Sequence, residues 1–211
     1  MQSVGLENLM IIAEVQTIRK LVLAAAFVIG ILMYALTNSR LDAANSTHEM
    51  IEWAGIVAIV VCILGRTWAS LYIAGRKIEQ FVTDGPYSVM RNPLYFFSII
   101  GTAGAGAQLG SVVAGAVFGA LAWAVFYVVT LQEERGMAER YDGAFANYMA
   151  TVPRFLPNPR LWRDKPTLTI MPPKILRTFA DAMLFLVSVP IAEGFEQLQN
   201  AGVLPVLFRL P

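Results

Sequence analysis

Residues 91–133 read RNPLYFFSII GTAGAGAQLG SVVAGAVFGA LAWAVFYVVT LQE, and between Arg91 and Glu133 lie 41 residues without one Asp, Glu, Lys or Arg. As a single helix rising about 1.5 Å per residue, that run would extend about 60 Å, twice the ~30 Å hydrocarbon core of a bilayer. It must therefore turn back near its middle. Gln108, Leu109, Gly110 and Ser111 form the small, polar cluster at the midpoint. The sequence thus predicts a helical hairpin of about Leu94–Gln108 and Val112–Leu131, with Arg91 and Glu133 returned to one membrane face.

Outward from the hairpin, apolar stretches run from Leu21 to Leu36, from Trp53 to Gly75 with Arg66 inside it, and from Ala182 to Ala192. The last is short enough to span obliquely, dip in, or lie at the interface. The first follows mixed residues that include Glu7 and Glu14, with no small-residue cleavage signature after it, and reads as an anchor rather than a signal peptide. Composition agrees with lipid as the solvent: 56% of the 211 residues are hydrophobic and 15% charged, against about 45–50% and about 25% in soluble domains. The expected fold is all-α, a polytopic membrane helical bundle of about five spans, in one domain over residues 1–211. Arg76, Lys77, Arg91, Arg135, Arg140, Arg154, Arg160, Arg163, Lys165 and Lys174 share one side of this topology. The positive-inside tendency makes that side cytoplasmic, the N-terminus inside, and the loop Thr37–Met50 external. A bacterial inner membrane is the expected location.

Charge and cysteine usage exclude several functions. A net charge of +1 and a pI near 7.8 give no basic field to recruit nucleic acid, so none is expected as a partner. One cysteine, Cys62, allows no internal disulfide. With one histidine, His48, the usual nitrogen and sulfur ligand clusters for zinc cannot be assembled, and no metal is expected.

From Glu133 to about Val152, Met137, Tyr141, Phe145 and Tyr148 recur at three- and four-residue spacing among charged neighbours. This is an amphipathic helix continuing out of the membrane. Pro153, Pro157, Pro159, Pro166, Pro172 and Pro173 then forbid a long helix and make an irregular cytoplasmic cover. Gly101, Gly104 and Gly106 look like a nucleotide-binding turn, but no strand precedes them and no acidic residue follows at the required distance. Close helix packing suits them better, as it does the G-x-x-x-G pairs Gly106/Gly110 and Gly115/Gly119. Arg66, an ionisable group at membrane depth, is either a site-supporting residue or half of a structural pair.

The chemistry-bearing stretch is Gly85-Pro86-Tyr87-Ser88-Val89-Met90-Arg91-Asn92-Pro93-Leu94-Tyr95, with Glu133-Glu134, Tyr141, Tyr148, Val152, Pro153, Arg154, Phe155 and Pro157 brought back to it by the hairpin. Pro93 suits the first turn of a helix, and opposite charges with several aromatic rings gather around one interfacial recess. On charge pattern alone, Arg91 fits a topogenic anchor and the two glutamates a solvated membrane exit.

The same residues carry a resemblance that reverses that weighting. From Arg66 to about Asn158 the chain resembles the isoprenylcysteine carboxyl methyltransferase family and the related membrane phospholipid methyltransferases. The pattern G-x-Y-x-x-x-R-H-P-x-Y falls on Gly85, Tyr87, Arg91, Pro93 and Tyr95. The Glu-Glu pair with trailing tyrosines and V-P-x-x-x-P falls on Glu133 through Pro157, and Gly65-Arg66-Thr67-Trp68-Ala69 is similar to the family's preceding arginine-containing helix. One departure stands out. Asn92 occupies the histidine position, and an amide can hydrogen-bond a cofactor but cannot titrate near neutrality.

The resemblance implies S-adenosyl-L-methionine as cofactor, in a recess at the cytoplasmic face. Tyr87, Arg91, Asn92, Pro93, Tyr95 and Glu133 are the expected cofactor-holding residues. Arg91 and Glu134 are expected to align the acceptor or balance charge. That acceptor is a membrane lipid or other lipophilic molecule arriving laterally, with a carboxylate or thiol nucleophile favoured. A phospholipid amine acceptor, a nicotinamide-dependent membrane reductase and a non-enzymatic membrane subunit remain as alternatives. The motif-bearing core is about 66–158, and residues 159–211 are expected to supply a C-terminal cover and a short apolar helix.

Overall fold

The computed structural model describes residues 28–39, 46–74 and 81–211. Helical residues 28–36 lead into a short strand, β1 (Thr37–Ser39), so the later part of the expected first span is helical and residues 21–27 of it lie outside the described residues. Helix α1 (Ser46–Ile73) has 28 residues, about 42 Å of helix. It begins earlier than the apolar stretch Trp53–Gly75, because Glu49 in its first turn suits the positive end of the helix dipole. The expected external loop Thr37–Met50 is thereby reduced, with a strand at its start and helix at its end.

The hairpin is formed. After the short helix α2 (Pro86–Val89), α3 (Pro93–Ala107) starts with proline in its first turn and α4 (Val112–Thr151) returns from the tip. Ser111 caps α4 by accepting a hydrogen bond from the Ala114 amide at 3.2 Å. At 40 residues, α4 is longer than any bilayer needs. Val112–Tyr141 is its apolar portion, and the remainder projects beyond as the amphipathic extension.

Small residues set the spacing of α1 against α3. A Cβ on Gly104 would stand 2.6 Å from the Gly55 carbonyl oxygen, and one on Gly101 would stand 2.5 Å from Cys62 Sγ. On the other side of the hairpin, a Cβ on Gly119 would stand 3.1 Å from that of Ala103. Gly101 and Gly104 therefore serve close helix packing.

The run Ala182–Ala192, whose crossing the sequence leaves open, lies within a longer unit, residues 172–200, made of α5 (Pro172–Met183), a 3-10 segment (Leu184–Val187) and α6 (Ser188–Asn200). Together these 29 residues are long and apolar enough to cross a membrane, as are α1 and Val112–Tyr141, whereas α3 is a shorter apolar helix. Ala182, Phe185, Leu186 and Val189 pack on Ile59 and Ile63 of α1. The C-terminal segment is thus more than a cover. It runs from the proline-rich strap to the hairpin tip, where β2 (Phe208–Leu210) pairs in parallel with β1, Asn38 opposite Arg209. Gln199 Nε2 donates to the Tyr34, Ala35 and Thr37 carbonyls, and Ser111 Oγ donates to the Pro211 carbonyl at 2.6 Å. Outward faces stay apolar, with Val57, Leu64, Leu121, Trp123, Val128 and Leu184 exposed. Such continuous apolar surface belongs in lipid, and the chain is an all-α integral membrane protein.

Candidate active site at the motif end of the bundle

Gly85 opens the motif loop. Its φ of 58° is left-handed, and a Cβ there would stand 2.2 Å from the Tyr72 ring, so only glycine fits. The loop then turns through α2 into Arg91 and Asn92, and the strap is laced across it. The Gly85 amide donates to the Arg163 carbonyl at 2.7 Å, the Arg91 amide to the Pro153 carbonyl at 2.8 Å and the Asn158 amide to the Val89 carbonyl at 2.9 Å. The Arg163 amide donates to Ser88 Oγ at 3.0 Å. Trp162 stacks on Trp68 of α1 with ring centroids 5.8 Å apart, and Tyr72 donates to the Asp164 carboxylate. Prolines that forbid helix thus leave backbone amides and carbonyls free to pair with the motif loop.

Beside the motif loop, between it and α4, is a recess of about 440 Å³, within the ~300–1,000 Å³ range of small-molecule sites. Tyr87, Arg91, Asn92, Pro93, Tyr95, Glu133 and Glu134 all line it, so the residues singled out in the sequence come together. Phe81 closes one wall, stacking on Tyr141 and meeting Phe145 and Tyr148 edge-on. This is where the amphipathic stripe of α4 buries.

Glu134 is the electrostatic centre. Arg91 Nη1 lies 2.9 Å from its Oε1, while Arg154 donates from Nη2 to Oε2 at 2.8 Å and from Nε to Oε1 at 3.2 Å. The Arg91 and Glu134 side chains are only 12% and 10% exposed, so the pair sits inside the recess and does not face open solvent. Burial lowers the Arg91 pKa from its ordinary value, whereas the hydrogen bond to Glu134 raises that of Arg154. Arg154 also lies over the Tyr127 ring, 5.1 Å from its centroid. The paired arginines leave this corner with a net positive charge.

Tyr95 stacks on Phe126 and donates to Glu133 Oε1 at 2.8 Å. Tyr148 donates to the Tyr87 carbonyl at 2.6 Å. The Tyr87 hydroxyl is buried with no hydrogen-bond partner among the described residues, and so is Arg91 Nε. Burial pushes both the Tyr87 and Tyr148 phenols above the ordinary range, so they remain donors. The Asn92 amide donates to the Arg154 carbonyl at 3.3 Å, linking motif to strap while still lining the recess.

Arg66 hydrogen-bonds Ser98 of α3 and does not line the recess. Arg154 is the residue that sequence reasoning quoted without assigning a role. Its place in V-P-x-x-x-P beside the glutamate pair was the available signal. The chain's histidine, His48, lies at the far end of α1, so the site is built without imidazole.

Residues 53–144 match the family model for phospholipid methyltransferases. The chain is 34% identical over 185 residues to the cobalt-zinc-cadmium resistance protein CzcN of Cupriavidus metallidurans, covering 87% of this chain and 83% of that protein. It is 33% identical over 157 residues to the nickel-cobalt-cadmium resistance protein NccN of Alcaligenes xylosoxydans xylosoxydans, covering 74% and 73%. No solved structure matches the chain.

Proposed function

The chain belongs to the phospholipid methyltransferase family, and from that premise we propose that it transfers a methyl group from S-adenosyl-L-methionine to a lipophilic or small acceptor at the cytoplasmic face of a bacterial inner membrane. The observation that carries this reading is the unpartnered, buried Tyr87 hydroxyl, with Arg91 Nε likewise unpartnered, on residues that line one recess. Buried donors without partners are rare in native proteins and mark places where a ligand completes the bonding. The recess fits the cofactor chemically: phenols and carboxylates for an amine and sugar hydroxyls, aromatic walls for a purine, and acidic groups for a sulfonium.

When bound, the cofactor supplies a methyl group already activated by positive sulfur. What remains for the protein is alignment and exclusion of water. Tyr87, Tyr95, Asn92 and Glu133 hold the cofactor, Pro93 and the Phe81 cluster shape the walls, and the strap braces the motif loop from behind. Glu134 holds the Arg91 and Arg154 guanidiniums in place, and Arg91 Nε faces an anionic acceptor. A carboxylate or thiolate acceptor suits this positive corner better than a phospholipid amine, which must lose its proton before it can attack.

The metal-resistance names of the two relatives suggest a setting of metal stress for this activity. Calorimetry of the purified full-length protein with S-adenosylhomocysteine is the direct test. Saturable one-to-one binding, followed by methyl transfer in a screen of carboxylate, thiol and amine lipids, supports the reading. No binding heat and no thermal stabilisation would overturn it.

A further inference from the structure

The tip end of the bundle carries a second cluster of chemistry-bearing groups. His48 and Glu52 sit one turn apart on α1, with His48 Nε2 3.2 Å from Glu52 Oε1. Glu196 on α6 completes a set in which one ligand atom from each residue lies within 4.8 Å of the others. We propose that His48, Glu52 and Glu196 bind a divalent first-row transition-metal cation. This site is distinct from the methyl-transfer recess, and the proposal does not depend on that reading.

Geometry supports it first. Two ligands about 2.1 Å from a tetrahedral ion stand about 3.4 Å apart. The His48–Glu52 pair already has that separation, and the half-exposed Glu196 closes the remaining gap by a rotamer change. The imidazole is held in place. His48 is 3% exposed, and its ring lies so near the tip that a Cβ on Gly110, whose φ is 63°, would stand 2.0 Å from Cε1. Nδ1 is buried without a hydrogen-bond partner among the described residues. Nε2 faces the Glu52 carboxylate at 3.2 Å, and a cation entering between them would take the Nε2 lone pair and leave the ring proton on Nδ1.

Charge supports it independently. Glu193 joins Glu196 in acting electrostatically on Glu52, and among the described residues no Lys or Arg forms an ion pair with any of these three carboxylates. His48 is the group set against Glu52 there, and a bound cation would relieve the repulsion that the neighbouring carboxylates retain. A cavity of about 160 Å³ adjoins the cluster on its Glu52 side and is lined by Glu52 and Glu193. One imidazole with carboxylates favours zinc, cobalt or nickel over calcium, which prefers an all-oxygen set.

Tag-free protein in detergent, titrated with Co2+ and read by visible absorption, tests the proposal. The expected result is saturable uptake of one equivalent, displaced by Zn2+ and not by Ca2+. Affinity should fall at least tenfold in Glu196→Gln, a partly exposed position that the fold does not depend on, and circular dichroism of that variant should match wild type. His48→Gln, if it folds, should lose the absorption band. No saturable uptake, equal affinity in Glu196→Gln, or displacement by Ca2+ would overturn the site and leave an ion pair of His48 with Glu52 only.

Discussion

Arg91 and Arg154 grip the same carboxylate in different ways, and the difference predicts what each can be exchanged for. Arg154 spends two nitrogens on Glu134, whereas Arg91 spends Nη1 and keeps Nε buried and unpaired. Lysine at position 91 keeps the charge and reaches Glu134, but has no second planar donor for an acceptor. Arg91→Lys is expected to insert normally yet lose at least about tenfold in methyl transfer at saturating cofactor, a barrier change of about 1.4 kcal/mol. Wild-type turnover in that variant would return Arg91 to a topogenic role. Tyr87 gives a second prediction with two readouts. Tyr87→Phe should weaken S-adenosylhomocysteine binding about tenfold, because it removes the orphaned donor. It should also change the alkaline limit of stability. The folded protein holds the Tyr87 proton more tightly than the unfolded chain does. This stabilisation is complete below the ordinary phenol value of about 10 and is lost as pH rises above it. Unfolding midpoints between about pH 9 and 11.5 should fall less steeply in Tyr87→Phe than in wild type. Parallel curves would show that the phenol is not as buried as the fold requires.

Hairpin and motif loop make the recess, the strap braces that loop, and these elements differ in how readily the chain declares them. A sensitive point joins them at Gly85, where left-handed backbone and the Tyr72 ring coincide. Gly85→Ala should lower stability by about 2 kcal/mol or more, seen as a lower melting temperature, and an unchanged melt would refute the close contact. The hairpin is legible in the sequence because the 41 uncharged residues exceed one bilayer crossing and contain one polar cluster. The tip falls at Gln108–Ser111 between α3 and α4. Other features rest on contacts between distant segments, which periodicity does not report. Neither the pairing of β1 with β2 nor the approach of Glu196 to His48 leaves a local signal, because each joins residues far apart in the sequence. The extent of residues 172–200 is obscured because Lys174, Arg177 and Asp181 interrupt the apolar run that α5 and α6 complete. Topology has its own check. In a Cys62→Ala background, Val112→Cys at the tip and Leu156→Cys in the strap, 66% and 77% exposed in the wild type, should react with impermeant thiol reagents from opposite sides. Labelling from one side would break the hairpin.

Across the whole molecule, the two ends of the bundle carry different chemistry on one rigid helix. Glu52 near the tip and Tyr72 beside the motif loop both belong to α1, and their separation along it is about 30 Å. At that distance a cation at the tip does not touch an acceptor in the recess. It does bind α1 to α6, and a ligand that binds only the folded state raises stability by about 2.7 kcal/mol when present at a hundredfold its dissociation constant. Chelation should therefore separate the two properties. Dialysis against EDTA is expected to lower the melting temperature of metal-loaded protein, and added Zn2+ should restore it. Methyl transfer measured well below that temperature should stay within about twofold of the untreated rate, because the charged groups that line the recess are arginines and glutamates belonging to the chain itself. Glu196→Gln should behave as chelated wild type does, less stable toward heat in the presence of Zn2+ and unaltered in turnover. Loss of methyl transfer on chelation, recovered with divalent metal, would mean that the ion acts in the reaction and that the two ends are not independent.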